Sequence, residues 1–263
     1  MIKAIFLDID GTLVPFGDHE PPREVIKALA EVRRKGVKVF IATGRQINWV
    51  VNLGDLEVDG YMTVNGNVCL MPDRKTIISK NLFTPGDVDR VIDFSHRCEL
   101  PIVMVPPLDP IVINKVDPNV VASSKLLSLP PVPVIDLEEM RGKEIAQMML
   151  FGSDKERLDS GFFSPEVLQH AEATSWNDLF CDVIPAGSSK AMGIDEMIHH
   201  FGIDLSETMA FGDGGNDIEM LQHAAIGVAM GQSVDKVKSA ADYVTDAVDD
   251  HGLVNALRHF SLI

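Results

Sequence analysis

Four short segments gather carboxylates, hydroxyls, an amide and a lysine at spacings that could serve phosphoryl chemistry. Asp8-Ile9-Asp10-Gly11-Thr12 sets two carboxylates two residues apart. One could attack phosphorus or bind a cation while the other exchanges a proton with the leaving oxygen, roles that need separate groups. Gly11 permits a tight turn that exposes backbone N–H groups. Ala42-Thr43-Gly44-Arg45 offers a hydroxyl and backbone N–H groups for phosphate oxygens. Gly187-Ser188-Ser189-Lys190 puts an ammonium at the positive end of a helical segment. Phe211-Gly212-Asp213-Gly214-Gly215-Asn216-Asp217 crowds two carboxylates and an amide into five positions, a donor set for a hard cation.

Each segment alone also has a plainer explanation. Asp and Gly are favoured in turns, Thr43 could cap the following helix, and Asn216 or Asp217 could cap another. The Arg45 guanidinium could grip a phosphate or a sugar hydroxyl, or could be a structural ion-pair partner. Trp176, Asn177 and Asp178 could suit a sugar ring, although a loop with one packed Trp explains them as well.

The flanking elements give the four segments a common address. Ala4 to Leu7 is an apolar run ending in Asp8, as in a strand buried on both faces of a parallel sheet. A helix is expected from about Pro22 to Lys35, with Gly36 as its stop, and a second buried strand over Val37 to Ala42. Strand and helix patterns alternate again from Thr208 to Phe260. All four segments therefore fall at strand carboxyl ends or helix starts, where open parallel sheets collect ligands, and Asp8, Asp10 and Asp213 would gather one Mg2+. The middle of the chain differs, with short strand-like runs among prolines and helical patterns near 87–97 and 154–158. It reads as an α+β module inserted between boundaries near Leu82 and Pro185, so that 1–81 and 186–263 form one domain and 82–185 the other. Asn65-Gly66, after a strand-like Gly60 to Val64, reads as a hairpin turn or, equally, as the segment leading towards that module.

Composition narrows the partners. With 23 Lys+Arg against 39 Asp+Glu the formal charge is −16, which disfavours nucleic acid and anionic membrane surfaces. An anionic substrate would then need local positive charge, from a metal, a lysine or an arginine. Three cysteines without metal-ligand spacing read as buried small hydrophobes. The run before Asp8 is too short for a secretory signal and no run approaches a membrane span, so the expectation is a cytoplasmic protein.

The four segments, in this order and with a long insert between Arg45 and Lys190, resemble the haloacid dehalogenase-like hydrolases, and among them the Cof-type phosphatases of sugar phosphates. The resemblance covers essentially the whole chain. It implies an α/β fold with a Rossmann-like parallel-sheet core and an inserted α+β cap domain. It implies Asp8 as nucleophile, Asp10 as general acid then base, and Thr43, Gly44, Lys190 and Asn216 as phosphate-binding residues. Mg2+ would be held by the Asp8 carboxylate, the Asp10 backbone carbonyl and Asp213, with Asp217 orienting metal-bound water. The implied partner is a small phosphomonoester, a hexose or other sugar phosphate, with nucleotides, flavin mononucleotide and pyridoxal phosphate as alternatives. A non-catalytic phosphate-ligand sensor on the same fold is the competing class. Asn67 and Ala191 depart from the family's usual small residue and glycine.

Overall fold

The computed structural model describes all 263 residues except His19, Val51, 127–129 and 175–177; Trp176 and Asn177, considered above, lie outside the described residues. The chain divides into two compact units, Met1–Ser79 with Ser189–Ile263, and Lys80–Ser188.

The first unit begins with strand β1 (Ala4–Leu7), helix α1 (Arg23–Arg34), β2 (Lys38–Ala42), β3 (Gly60–Thr63), β4 (Val68–Leu70) and β5 (Ile77–Lys80). The helix α1 buries Val25, Ala28, Leu29 and Val32, the stripe expected of 3.6-residue periodicity. The second unit follows with α2 (Pro85–Ser95), β6 (Ile102–Val105), β7 (Val112–Ile113), α3 (Pro118–Leu126), β8 (Gln147–Phe151), α4 (Asp154–Asp159), β9 (Ala171–Thr174) and β10 (Phe180–Pro185). The chain then returns to the first unit as α5 (Lys190–Phe201), β11 (Thr208–Gly212), α6 (Ile218–His223), β12 (Ile226–Ala229), α7 (Asp235–Lys238), β13 (Tyr243–Val244) and α8 (Gly252–His259).

The eight strands of the first unit run in the order β13-β12-β11-β1-β2-β3-β4-β5. From β13 to β3 every neighbour is parallel, and β4 returns antiparallel to β3. The central strand β1 is fully buried along Ala4–Leu7, which is why its sequence is uninterrupted apolar rather than alternating. Its neighbours are β11 on one side and β2 on the other, with Leu7 opposite Phe211 and Ile41. The carboxyl ends of these three strands carry Asp8, Asp213 and Thr43.

The second unit has its own sheet, β7-β6-β8-β10-β9, antiparallel throughout, over a separate core that includes Phe94, Ile102, Met104, Met148, Leu150 and Phe162. An α/β core with a mostly parallel sheet, joined to a cap built on an antiparallel sheet, is the expected fold class. The short β4, β5 and β9 and the helix α3 are additions to the sequence reading. All three cysteines are buried and unpaired to one another. Among the described residues no helix is long and apolar enough to cross a membrane.

Candidate active site

Asp8 is the first residue beyond β1 and is nearly buried, at 8% exposure. Its Oδ1 accepts a hydrogen bond of 2.5 Å from Lys190 Nζ, which also donates to Asp217 Oδ1 at 2.6 Å. Lys190 is the first residue of α5 and has no exposed surface. A cation is misplaced at a helix N-terminus, where the dipole favours anions, so this lysine is there for the carboxylates and not for the helix. Ser189 caps the helix instead, its hydroxyl accepting from Met192 N. Burial alone lowers the ammonium's proton affinity, but Asp217 and Asp8 outweigh it and hold Lys190 charged.

Asp217 is fastened from both sides. Its Oδ2 accepts from the backbone N–H groups of Asp213 and Gly214, each at 2.9 Å, while Oδ1 takes the Lys190 ammonium. A β-carbon on Gly212 would fall 2.5 Å from Asp217 Cβ, so the glycine ending β11 is what lets this carboxylate fold back against the strand.

Asp8, Asp213 and Asp217 each bring a carboxylate oxygen within 4.8 Å of the other two. Burial, with Asp217 and Asp213 beside it, raises the Asp8 carboxyl well above the usual range, opposed by the Lys190 ammonium. Burial and Asp217 raise Asp213 to about 6, against hydrogen bonds from Thr12 and Gln232. Three mutually repelling oxygen donors and one lysine leave residual negative charge, and an oxygen-only donor set fits a hard divalent cation. Since both Asp217 oxygens already serve other partners, its carboxylate is better placed to fix its neighbours than to ligate.

Asp10 is directed elsewhere. Arg45 Nε and Nη2 donate to its two carboxylate oxygens at 2.8 Å each, a bidentate pair, and Arg45 Nη1 donates to Trp49 O at 3.3 Å. The Asp10 side chain thus stands outside the carboxylate trio. Thr43 is buried, and its Oγ1 accepts from Arg45 N at 3.1 Å. Asn216 Nδ2 donates to Asn65 Oδ1 at 2.9 Å, and a β-carbon on Gly44 would stand 3.1 Å from that same oxygen.

Two side chains that meet Asp213 are given no role by the sequence pattern. Thr12 Oγ1 donates to Asp213 Oδ1 at 3.1 Å, joining the first segment to the fourth. Gln232, in the loop after β12, donates to Gly11 O at 2.5 Å, accepts from Val248 N at 3.0 Å and is in polar contact with Asp213. A single glutamine in a loop offers no pattern to detect, and only the sheet order brings it to Gly11.

The chain matches the family described as haloacid dehalogenase-like hydrolase over residues 5–257. It is 34% identical over 265 residues to YkrA of Bacillus subtilis (strain 168), by name a candidate phosphatase, with 99% of this chain and 98% of that protein covered. It is 26% identical over 267 residues to 5-amino-6-(5-phospho-D-ribitylamino)uracil phosphatase YitU of the same organism, covering 98% of this chain and 97% of that one. Among solved structures it superposes on BT4131, described as a HAD subclass IIB sugar phosphatase, with a TM-score of 0.86 and 41% identity over 99% of this chain and 100% of that one.

Proposed function

Because this chain belongs to the haloacid dehalogenase-like hydrolases, and is a subclass IIB, Cof-type phosphatase of small phosphorylated metabolites, we propose that Asp8 is its nucleophile and Asp10 its proton carrier. The observation that carries this reading is the buried Lys190 ammonium, shared between Asp8 and Asp217 at 2.5 and 2.6 Å. The ammonium favours the carboxylate form of Asp8 and offsets part of the negative charge that would repel a phosphoryl group.

Asp8 attacks phosphorus as the ester P–O bond breaks, and Asp10 gives its proton to the departing oxygen. Water then attacks phosphorus of the aspartyl-phosphate, Asp10 takes a proton from that water, and the bond to Asp8 breaks to release orthophosphate. Arg45 must let go of Asp10 for either proton transfer, and its guanidinium then turns to the substrate as a phosphate or sugar-hydroxyl contact. Thr43, Gly44, Lys190 and Asn216 hold the phosphoryl oxygens. Asp8, the Asp10 backbone carbonyl and Asp213 would hold Mg2+, with Asp217 orienting its water. When bound, the ion would neutralise phosphoryl charge.

Sugar phosphates, hexose phosphates first, are the proposed substrates, supported by the likeness to a sugar phosphatase. A phosphorylated ribityl chain is the second reading, supported by the likeness to YitU. Purified protein should be screened against phosphorylated sugars, a ribityl phosphate, nucleotides, flavin mononucleotide and pyridoxal phosphate, comparing kcat/KM. A tenfold or greater preference for a nucleotide or cofactor would overturn the sugar-phosphate assignment. Chelation should abolish turnover and added Mg2+ restore it; full activity in metal-free protein would remove the ion from the mechanism. The intact set Asp8, Asp10, Lys190 and Asp213 speaks for catalysis and against a ligand sensor.

A further inference from the structure

The turn between β3 and β4 holds three consecutive residues at positive φ: Val64 at 53°, Asn65 at 55° and Gly66 at 89°. For Gly66 this is ordinary and for Asn65 tolerable, but a β-branched valine in the left-handed region is strained, and such strain persists only where surrounding contacts fix it. Those contacts lie in the phosphate-binding segment. Val64 N donates to Arg45 O at 3.1 Å and Asn65 N to Thr43 O at 3.0 Å, so the turn is stapled to Thr43-Gly44-Arg45 through the backbone. On its other side Gly66 lies against α5, where a β-carbon would stand 3.2 Å from Lys190 Cα.

The strained conformation buries Asn65 to 6% exposure with its carboxamide beside Gly44. Its Oδ1 accepts from Asn216 Nδ2 at 2.9 Å, which fixes the amide's orientation. Its Nδ2 stands 3.5 Å from the position a Gly44 β-carbon would take, and among the described residues no acceptor meets it. A largely buried residue with its amide oxygen engaged and its Nδ2 beside Gly44 is equipped to donate to an anion held at that loop.

We propose that Asn65 is a further substrate-binding residue, donating from Nδ2 to a phosphoryl oxygen held over Thr43-Gly44, with Asn216 as the residue that positions it. This rests on the phosphatase reading given above. It also gives Asn216 an indirect part in phosphate binding, through Asn65.

The decisive variant is Asn65→Gly, because glycine keeps the positive φ at no steric cost while deleting the carboxamide. Orthophosphate is the probe, measured by calorimetry on the Mg2+-loaded protein and as a competitive inhibitor. The expected result is at least tenfold weaker phosphate binding and a kcat/KM lowered about 30-fold, with Tm unchanged. The near-isosteric Asn65→Asp should be worse than Asn65→Gly, since it sets a carboxylate against the anion. Phosphate binding and kcat/KM within twofold of wild type in Asn65→Gly would overturn the assignment while leaving the phosphatase reading intact. Wild-type protein that neither binds orthophosphate nor turns over any phosphomonoester would overturn both.

Discussion

At the scale of single residues, the site is a problem of charge. Three carboxylates converge, and one buried lysine and two backbone N–H groups answer them. Replacing Asp8 by Asn removes the nucleophile while preserving shape and relieving carboxylate repulsion. Phosphate release should fall by at least ~10³-fold, with the folded state retained by circular dichroism. Residual turnover above one tenth of wild type would exclude Asp8 as the attacking group. Asp8, Asp213 and Lys190 are legible in the sequence because each ends a strand or starts a helix beside turn residues. The direction of Asp10 towards Arg45, and the double fastening of Asp217, are not legible. They depend on rotamers set by neighbours 35 and 27 positions away in the chain.

At the scale of elements, what matters is how closely backbones approach. A methyl group on Gly66 would fall on the Ser189 carbonyl oxygen, next to Lys190 Cα, and Gly66 has φ +89°. Gly66→Ala should therefore cost about 2 kcal/mol or more of stability and push the start of α5 away from β1. Urea denaturation and kcat/KM should both register it, the latter falling at least tenfold. The apolar strands β1, β2 and β11 are evident from composition, since strands buried on both faces need no alternation. The three- and four-residue strands β4, β5 and β9 owe their state to partners already in place, which a single sequence does not display.

The antiparallel sheet of the second unit carries a titration of its own. Burial raises the Asp182 carboxyl to about 7, and its Oδ1 accepts from Gln147 Nε2 at 2.8 Å while Gln147 Oε1 is buried without a partner. Because the folded pKa lies above the unfolded one, the folded state binds the extra proton between about pH 4 and 7, and stability falls as pH rises through that window. Asp182→Asn should raise Tm at pH 8 by about 3 °C and change it little at pH 4. An equal shift at both pH values would show that ionisation of Asp182 is not the cause.

At the scale of the whole molecule, a formal charge of −16 opposes the approach of an anionic substrate to a site whose positive charge is local. Screening should help. Raising ionic strength from 20 to 200 mM should increase kcat/KM for a phosphomonoester about two- to threefold, through KM and not kcat. A fall over that range would mean that the local cations, not the overall charge, govern encounter. The overall charge is plain from composition, and so is the presence of an insert. That Lys190 and Asp8, 182 positions earlier, share one edge of the sheet is legible too; the direct 2.5 Å contact between them is not.

That order has a bearing on how the protein is made. Strand β1 leaves the ribosome long before one of its two neighbours, β11, which begins at Thr208. Until then the apolar strand bearing Asp8 has a bare edge, while the second unit, contiguous from Lys80 to Ser188, can complete its own sheet during synthesis. Between the synthesis of β1 and that of β11 the nascent chain is thus exposed to mispairing and aggregation, and chaperone demand should concentrate on β1 and the strands that follow it before the second unit.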